Sequence, residues 1–542
     1  MSRMCRSPGR WSPPRCSPSP ERWCAPSKRN YCGYAMRRGC RIPSFGRGCA
    51  NWTCASKRSV PRGSVATVTN APLFDAWRAA RSRPGRSMQI PGHKMRYASN
   101  EPDLFAADLL REIIRDDVPL QGGAEDNFFS GGFLEKAEQL WADAIGADHA
   151  RFLVGGSTQG NIAALASVVA PDVEVCIDRT SHRSAHAGLV VSGARPRWIH
   201  PQIHPDFGIP VGIDSSALEI SGVYALFVTS PAYVGTMTDI AALAQLCHAQ
   251  DSVLIVDQAW GAHLDFLGAR GAHAQGADVV TTSVHKALTG YSQTAVTSLK
   301  GPRVLPSTLS HGVDLTATTS PSATLLASID ATRLALQEDA GDRFALVQEA
   351  VHQARRDLSR IPGVFALDED NLGCEMDPLK VTIFVPETGT TGTQISRDLW
   401  ARGVGVEAAD ADTVIMTVGV ADDPQTIGEM VEAVSQVVSA QRSTPRAPTP
   451  AATWQVNPEV VITPREAYFA HRRRLGLREA IGEVSTEQFC PYPPGVPLLA
   501  PGERVTPEVV EAIEVAGRST RMAYCSDPSA QTIEVVAAVT ER

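Results

Sequence analysis

With 542 residues, 43% of them hydrophobic and 20% charged, the chain is long enough for more than one domain and too apolar to be disordered throughout. It contains no run of about eighteen apolar residues, so no membrane-spanning helix is expected. The net charge of −7 is uneven: residues 1–62 hold fourteen Lys and Arg against one acid, Glu21, which leaves an acidic body poorly suited to nucleic acid.

Seven of the twelve cysteines (Cys5, Cys16, Cys24, Cys32, Cys40, Cys49 and Cys54) fall in this basic leader, among Arg, Pro, Ser and Gly. The leader shows no hydrophobic period, no C-x-x-C and no histidine, so residues 1–62 are expected to be a disordered Cys/Arg/Pro-rich tail without a metal site. It also lacks the apolar stretch of a secretory signal. The five body cysteines are scattered singly, as expected of a reduced cytoplasmic protein.

From about Ala71 strands and helices alternate. Short aliphatic runs at Val173–Ile177, Tyr224–Val228, Val253–Val256, Val279–Thr282 and Ala295–Leu299 predict strands. Helical spacing lies between several of them, at Asn161–Val169, Ala185–Val191 and Ile240–Ala249. This order predicts an α/β fold, a mostly parallel sheet covered on both faces. A long helical pattern begins near Leu325–Leu336 and continues through Arg343–Leu358. Strand candidates Val381–Val385 and Val414–Val418 then flank a helix at Gln394–Ala401, which indicates a smaller α+β domain. Ser443–Thr453 is Pro/Thr/Ala-rich and reads as a linker to a last α+β segment. The expected division is a tail over 1–62, an arm and large domain over 63–330, a small domain over 331–445, and a linker with a C-terminal domain over 446–542.

Three motifs carry chemistry. Gly155-Gly156-Ser157-Thr158-Gln159-Gly160 precedes a helix, and its backbone amides and hydroxyls suit a phosphate. The strand Val253–Val256 runs into Asp257-Gln258-Ala259-Trp260-Gly261-Ala262-His263, and the next strand into Ser283-Val284-His285-Lys286. Ligands gather at the carboxyl ends of strands in such sheets, so Asp257 and Lys286 can converge there. A phosphate cradle, a carboxylate and a lysine are the parts that hold pyridoxal 5′-phosphate, with Lys286 forming the Schiff base and Asp257 keeping the ring nitrogen protonated.

In these motifs and their order the body resembles the ornithine/lysine/arginine decarboxylase family, in its short form, of fold-type-I pyridoxal-phosphate enzymes. Further matching segments are Ile90-Pro91-Gly92-His93-Lys94, Asp178–Ser184, Thr318-Thr319-Ser320-Pro321-Ser322 and Pro491–Pro497. The resemblance implies that Lys286 and Asp257 are catalytic and that Ser157, Thr158 and Ser283 hold phosphate. It implies that His182 stacks on the ring, that Ala259 lies against it with Trp260 alongside, and that His285 contacts or protonates substrate. It further implies decarboxylation of a basic amino acid (arginine, lysine or ornithine), feeding polyamine synthesis. The Thr319-Ser320 segment would reach a neighbouring subunit's cofactor, in a homodimer or higher oligomer.

Two departures stand out. Asp257-Gln258-Ala259-Trp260-Gly261 replaces the short members' Asp-Glu-Ala-His-Gly, and Gly122–Phe129 replaces a Leu-Asp-Asp-His stretch at the border of the site. A cationic substrate needs an acidic pocket, for which Glu487 is the candidate, with Glu125 and Asp126. The alternatives are an aminotransferase or lyase of the same fold, and a pyridoxal-phosphate-binding protein without turnover.

Overall fold

The computed structural model describes residues 70–82, 116–120, 132–449, 456–492, 495–519 and 522–537. The chain divides into Met1–Ala66 and Thr67–Arg542. The tail expected over 1–62 lies outside the described residues, as do Ile90–Lys94 and Gly122–Phe129, with Glu125 and Asp126.

A seven-stranded sheet organises the larger part. Its strands are β1 His149–Leu153, β2 Glu174–Asp178, β3 Arg195–Ile199, β4 Ala225–Thr229, β5 Val253–Asp257, β6 Val279–Ser283 and β7 Ala295–Leu299. They lie in the order β1-β7-β6-β5-β4-β2-β3. From β3 to β6 every pairing is parallel, and β7 runs antiparallel to both β1 and β6. The mostly parallel sheet is therefore present. The five expected strands match to within a residue or so at each end. The two edges, β1 and β3, carry Arg151, Arg195 and Arg197 within their runs, and these charges hide the strand pattern while blunting the edges.

Side-chain alternation splits the strands between two layers. Val175, Ile177, Phe227 and Ile255 meet Leu165 and Leu189 on one face. Cys176, Leu226, Leu254 and Val256 meet Leu243 and Cys247 on the other. The helices of this part are α1 Pro72–Arg81, α2 Phe133–Ile145, α3 Gly156–Val168, α4 Arg183–Ser192, α5 Ile240–Ala249, α6 Pro306–Thr316 and α7 Ala323–Leu358. A Cβ on Gly160 would stand 2.5 Å from Thr281 Cγ2, so α3 rests directly on β6. That contact fixes where the N-terminus of α3 points.

The long α7 crosses from the large sheet to a second, antiparallel one. The latter holds β8 Phe365–Ala366, β9 Lys380–Phe384, β10 Ala408–Ala409 and β11 Thr413–Thr417, in the order β10-β11-β9-β8. Helices α8 Glu369–Leu372, α9 Gly392–Ala401 and α10 Pro424–Gln441 accompany it. Leu326, Val347, Val351 and Leu358 of α7 share one core with Val381, Ile383 and Val414. Arg355 of α7 donates to the carbonyls of Asp377 (2.8 Å) and Lys380 (2.6 Å), which anchors the start of β9. The expected linker is tied down where it is described: Arg446 pairs with Asp412 at 2.6 Å.

The C-terminal part comprises α11 Pro464–Phe469, β12 Arg472–Gly476, β13 Cys490–Tyr492, α12 Pro507–Ser519, β14 Met522–Tyr524 and β15 Thr532–Val536. Strand β12 pairs with β15 and β13 with β14 around Leu498, Val509, Ile513 and Val535. Arg179, just past β2, grips Glu503 of this part with contacts of 2.6 and 3.1 Å, both side chains being 1% exposed. Among the described residues, no helix is long and apolar enough to cross a membrane.

Candidate active site

The carboxyl ends of β4, β5 and β6 and the N-terminus of α3 enclose a cavity of about 440 Å³. Its walls include Gly155, Gly156, Ser157, Thr158, His182, Asp257, Ala259, Trp260, His285 and Lys286. Motifs up to 131 residues apart in sequence therefore meet at one place, as the strand-end rule predicts.

Gly156 opens α3 with a φ of +70°, a conformation natural to glycine, and no side chain caps the helix. The Gly155 amide is taken by Gln159 Oε1 (3.0 Å) and the Gly156 amide by the Gln293 carbonyl (2.8 Å). The next amides, of Ser157 and Thr158, are first-turn donors with no partner inside the helix. Ser283, the last residue of β6, donates its hydroxyl to Ser157 Oγ at 2.9 Å, so hydroxyls from two elements converge on this helix end. Uncapped amides, hydroxyls and the positive end of the helix fit a phosphate.

Asp257 ends β5 with its side chain buried. Oδ1 accepts from the Ala259 amide (3.0 Å) and Oδ2 from Asn161 Nδ2 (2.7 Å). Burial raises its pKa, against the opposing pull of Lys286. Lys286 Nζ lies 3.5 Å from the centroid of the Trp260 ring, and burial lowers its pKa to about 8, while Asp257 and Glu407 act in the opposite direction. Asp257 and Lys286 face one cavity without forming an ion pair, which leaves room between them. A phosphate cradle, an acid and a lysine of weakened basicity around an open volume fit pyridoxal phosphate.

His182 caps α4, its Nδ1 accepting from the Ser184 amide at 3.3 Å. The same residue lines the cavity, so capping and a place beside the cofactor are compatible. His285 Nδ1 lies 2.9 Å from the Thr294 carbonyl and must be the donor there, which leaves Nε2 for the cavity.

The Gln258 departure has a structural account. Its Nε2 donates to Asp265 Oδ1 (2.9 Å) and its Oε1 accepts from the Ala272 amide (2.8 Å), away from the cavity walls. A glutamate there would bring a second carboxyl group against Asp265, which burial already raises to about 7, and one of the two would have to hold a proton, whereas the Gln258 amide donates in either state.

Glu487 is not in the site. Its carboxylate accepts from the Ser526 amide and hydroxyl and from the Glu534 amide (2.7 Å), which places it inside the C-terminal part. Besides Asp257, the cavity is lined by the carboxylate of Glu407, just before β10, and Tyr233 and Val496 join it in the wall. Glu407 lies in no motif, and only the folding of the small sheet onto the large one brings it there. Thr318, Thr319 and Ser320 are exposed and line no part of this chain's own cavity.

Comparison with known proteins agrees with this geometry. Residues 71–364 match the family model for the Orn/Lys/Arg decarboxylase major domain, and 449–520 match the model for the C-terminal domain. The chain is 30% identical to an arginine decarboxylase of Halalkalibacterium halodurans, over 80% of this chain and 91% of that one. It is 29% identical to an arginine decarboxylase of Bacillus subtilis, over 82% and 92%. The solved lysine decarboxylase of Francisella novicida superimposes with a TM-score of 0.72 at 16% identity, over 86% of this chain and 81% of that one. The fold is thus the fold-type-I α/β arrangement with a C-terminal domain, and the class is that of pyridoxal-phosphate-dependent amino-acid decarboxylases. Within that class the chain belongs to the Orn/Lys/Arg decarboxylase family.

Proposed function

We propose that this protein decarboxylates a basic amino acid to the corresponding amine and carbon dioxide, with Lys286, Asp257 and His285 as its catalytic residues. The observation that carries the reading is the meeting of Lys286, Asp257 and Glu407 in one cavity with an uncapped helix end. Arginine is the leading substrate, because the relatives at 30% and 29% identity bear the name arginine decarboxylase. The amine would feed polyamine synthesis. The free thiols of Cys176, Cys247, Cys374, Cys490 and Cys525 support a cytoplasmic location.

Ser157, Thr158 and Ser283 would hold the phosphate of pyridoxal phosphate, Asp257 its ring nitrogen, and Lys286 its aldehyde carbon. His182, Ala259 and Trp260 would border the ring. When bound, the cofactor supplies the sink for the electron pair released as carbon dioxide leaves. The lowered pKa of Lys286 keeps a usable fraction of its amine neutral and nucleophilic near pH 8. Asp257, fixed by two donors, would set its carboxylate beside the ring nitrogen and favour the protonated ring. Glu407 would receive the cationic end of the substrate and so orient the Cα–carboxylate bond; a guanidinium can meet a carboxylate through two hydrogen bonds. His285 Nε2 or the Lys286 amine would return a proton to Cα. The exposed Thr318–Ser320 stretch supports a homodimer in which it would complete the partner's site. The division at 63–330, 331–445 and 446–542 would assign Lys286 to the large domain and Glu407 to the small one.

The test is carbon dioxide release from arginine, lysine and ornithine by the purified protein with added cofactor. Amine formation from one of them, abolished in Lys286→Ala together with the visible absorbance of bound cofactor, is the expected result. A keto acid in place of the amine would indicate an aminotransferase. Bound cofactor with no product from any of the three would indicate a protein without turnover.

A further inference from the structure

A chain of hydrogen bonds connects His182 to Asp257 through Ser184 and Asn161, two residues to which the sequence alone assigned no role. His182 Nδ1 is 2.9 Å from Ser184 Oγ, Asn161 Nδ2 is 2.9 Å from the same oxygen, and Asn161 Nδ2 is 2.7 Å from Asp257 Oδ2. Ser184 and Asn161 are each 1% exposed, and the three links draw on α3, α4 and β5.

The directions of these bonds can be worked out from both ends. At Asp257 a carboxylate can only accept, so Asn161 must present its NH2 group there; the reversed amide would set two acceptors against each other. The second proton of that NH2 goes to Ser184 Oγ. A hydroxyl that accepts from Asn161 has its own proton to give, and His182 Nδ1 is the neighbour that can take it. At the other end the Ser184 backbone amide also reaches Nδ1, at 3.3 Å, and a backbone N–H can only donate. Both ends require a lone pair on Nδ1. The price is visible: Asn161 Oδ1 is buried with no hydrogen-bond partner, so the amide is oriented for Asp257 and Ser184 at that oxygen's expense.

We propose that Ser184 and Asn161 are positioning residues that lock His182 as the neutral Nε2–H tautomer and tie that tautomer to the ionised state of Asp257. The inference rests on the reading of this cavity as the cofactor site. Its consequence is that the two contacts expected on the ring, one at its face and one at its nitrogen, are set together. Were Asp257 protonated, the Asn161 amide could reverse, Ser184 would turn its proton toward Oδ1, and His182 Nδ1 would lose one of its two donors. Burial of His182, with the Lys286 and Arg183 charges, lowers its pKa to about 4, and its neighbour His186 is driven well below the ordinary histidine range. A neutral imidazole is thus consistent with every charged group that faces it.

The experiment uses full-length protein with 15N-labelled histidine, with and without pyridoxal phosphate, and identifies the His182 signals by their loss in His182→Gln. The expected spectrum has an unprotonated Nδ1 and a protonated Nε2, unchanged between pH 5.5 and 8. Ser184→Ala removes the hydroxyl donor but keeps the backbone amide, so it should shift the Nδ1 resonance and move the His182 titration upward by a pH unit or more, and Ser184→Thr should restore the parent spectrum. Asn161→Leu should weaken cofactor affinity about tenfold as Asp257 loses a donor. A proton on Nδ1 in the parent protein, or a Ser184→Ala spectrum identical to it, would overturn the proposal. Protein that shows the expected tautomer but forms no amine keeps the hydrogen-bond chain and loses the decarboxylase reading.

Discussion

Lys380, at the start of β9, places its ammonium 4.0 Å from the centroid of the Trp260 ring, the ring that also carries Lys286 Nζ at 3.5 Å. Lys380 is fully enclosed. Thr417 Oγ1 takes one hydrogen bond at 3.0 Å, and a Cβ on Gly235 would stand 2.7 Å from Lys380 Cγ, which confines the stem. Burial lowers its pKa to about 8, with Asp377 and Glu407 resisting the fall and Lys286 adding to it.

That shift sets a pH signature. An unfolded lysine keeps its proton to about pH 10.4. Between pH 8 and that value the unfolded chain binds more protons, so the Lys380 contribution to stability improves as pH rises through the window. Lys380→Met should therefore be most favourable relative to the parent below pH 8. The advantage should shrink toward pH 10, by about 1.4 kcal/mol for each unit between folded and unfolded values. Denaturant unfolding of both proteins at pH 7, 8, 9 and 10 measures it, and a pH-independent difference would contradict the burial argument.

Asp257→Asn should retain visible cofactor absorbance yet lose turnover by roughly a thousandfold, about 4 kcal/mol in the barrier. An amide is nearly the same size and can still accept from Ala259, but it carries no charge to hold the ring nitrogen protonated. Nearly normal amine formation would mean that Asp257 merely ends a strand.

Glu407→Gln should raise KM for the preferred basic amino acid tenfold or more, as expected when a hydrogen bond to a charged group worth about 1.5–3 kcal/mol is lost. Its unfolding midpoint should stay that of the parent, because Glu407 is exposed. Glu487→Gln should do the reverse, leaving KM alone and lowering stability by about 1–2 kcal/mol through the Ser526 and Glu534 amides it serves. Steady-state kinetics beside thermal melts separate the two.

Removing one partner of the Arg179–Glu503 pair should destabilise the protein by about 3–5 kcal/mol, since a charge would be left buried without its counterion. Glu503→Leu and Arg179→Met each break it, whereas the two substitutions together should recover much of the loss. Melting curves of the three variants decide this, and additive effects would show that the residues act independently.

Strands β2 and β4 to β7 were legible because sheet residues covered on both faces read as unbroken aliphatic runs, and the strand ends then led to Asp257 and Lys286. The edge strands β1 and β3 escaped because their solvent-facing arginines interrupt that signal. Glu407 and Asn161 escaped for a different reason. Neither belongs to a matched segment, and each acquires its place only when a second element packs against it. Glu487 misled because an acid near a recognisable motif gives no sign of whether its oxygens are already taken by local amides.

The counterion of Arg179 lies 324 residues downstream of it. A nascent chain that has completed β2, α3 and α4 must keep this guanidinium hydrated until almost the whole protein has left the ribosome. Val496, part of the cavity wall, arrives only in the same late stretch. A product that stops before Glu503 therefore carries an open cavity and an unmatched cation at its centre, and exposure of that kind is what quality-control proteases act upon.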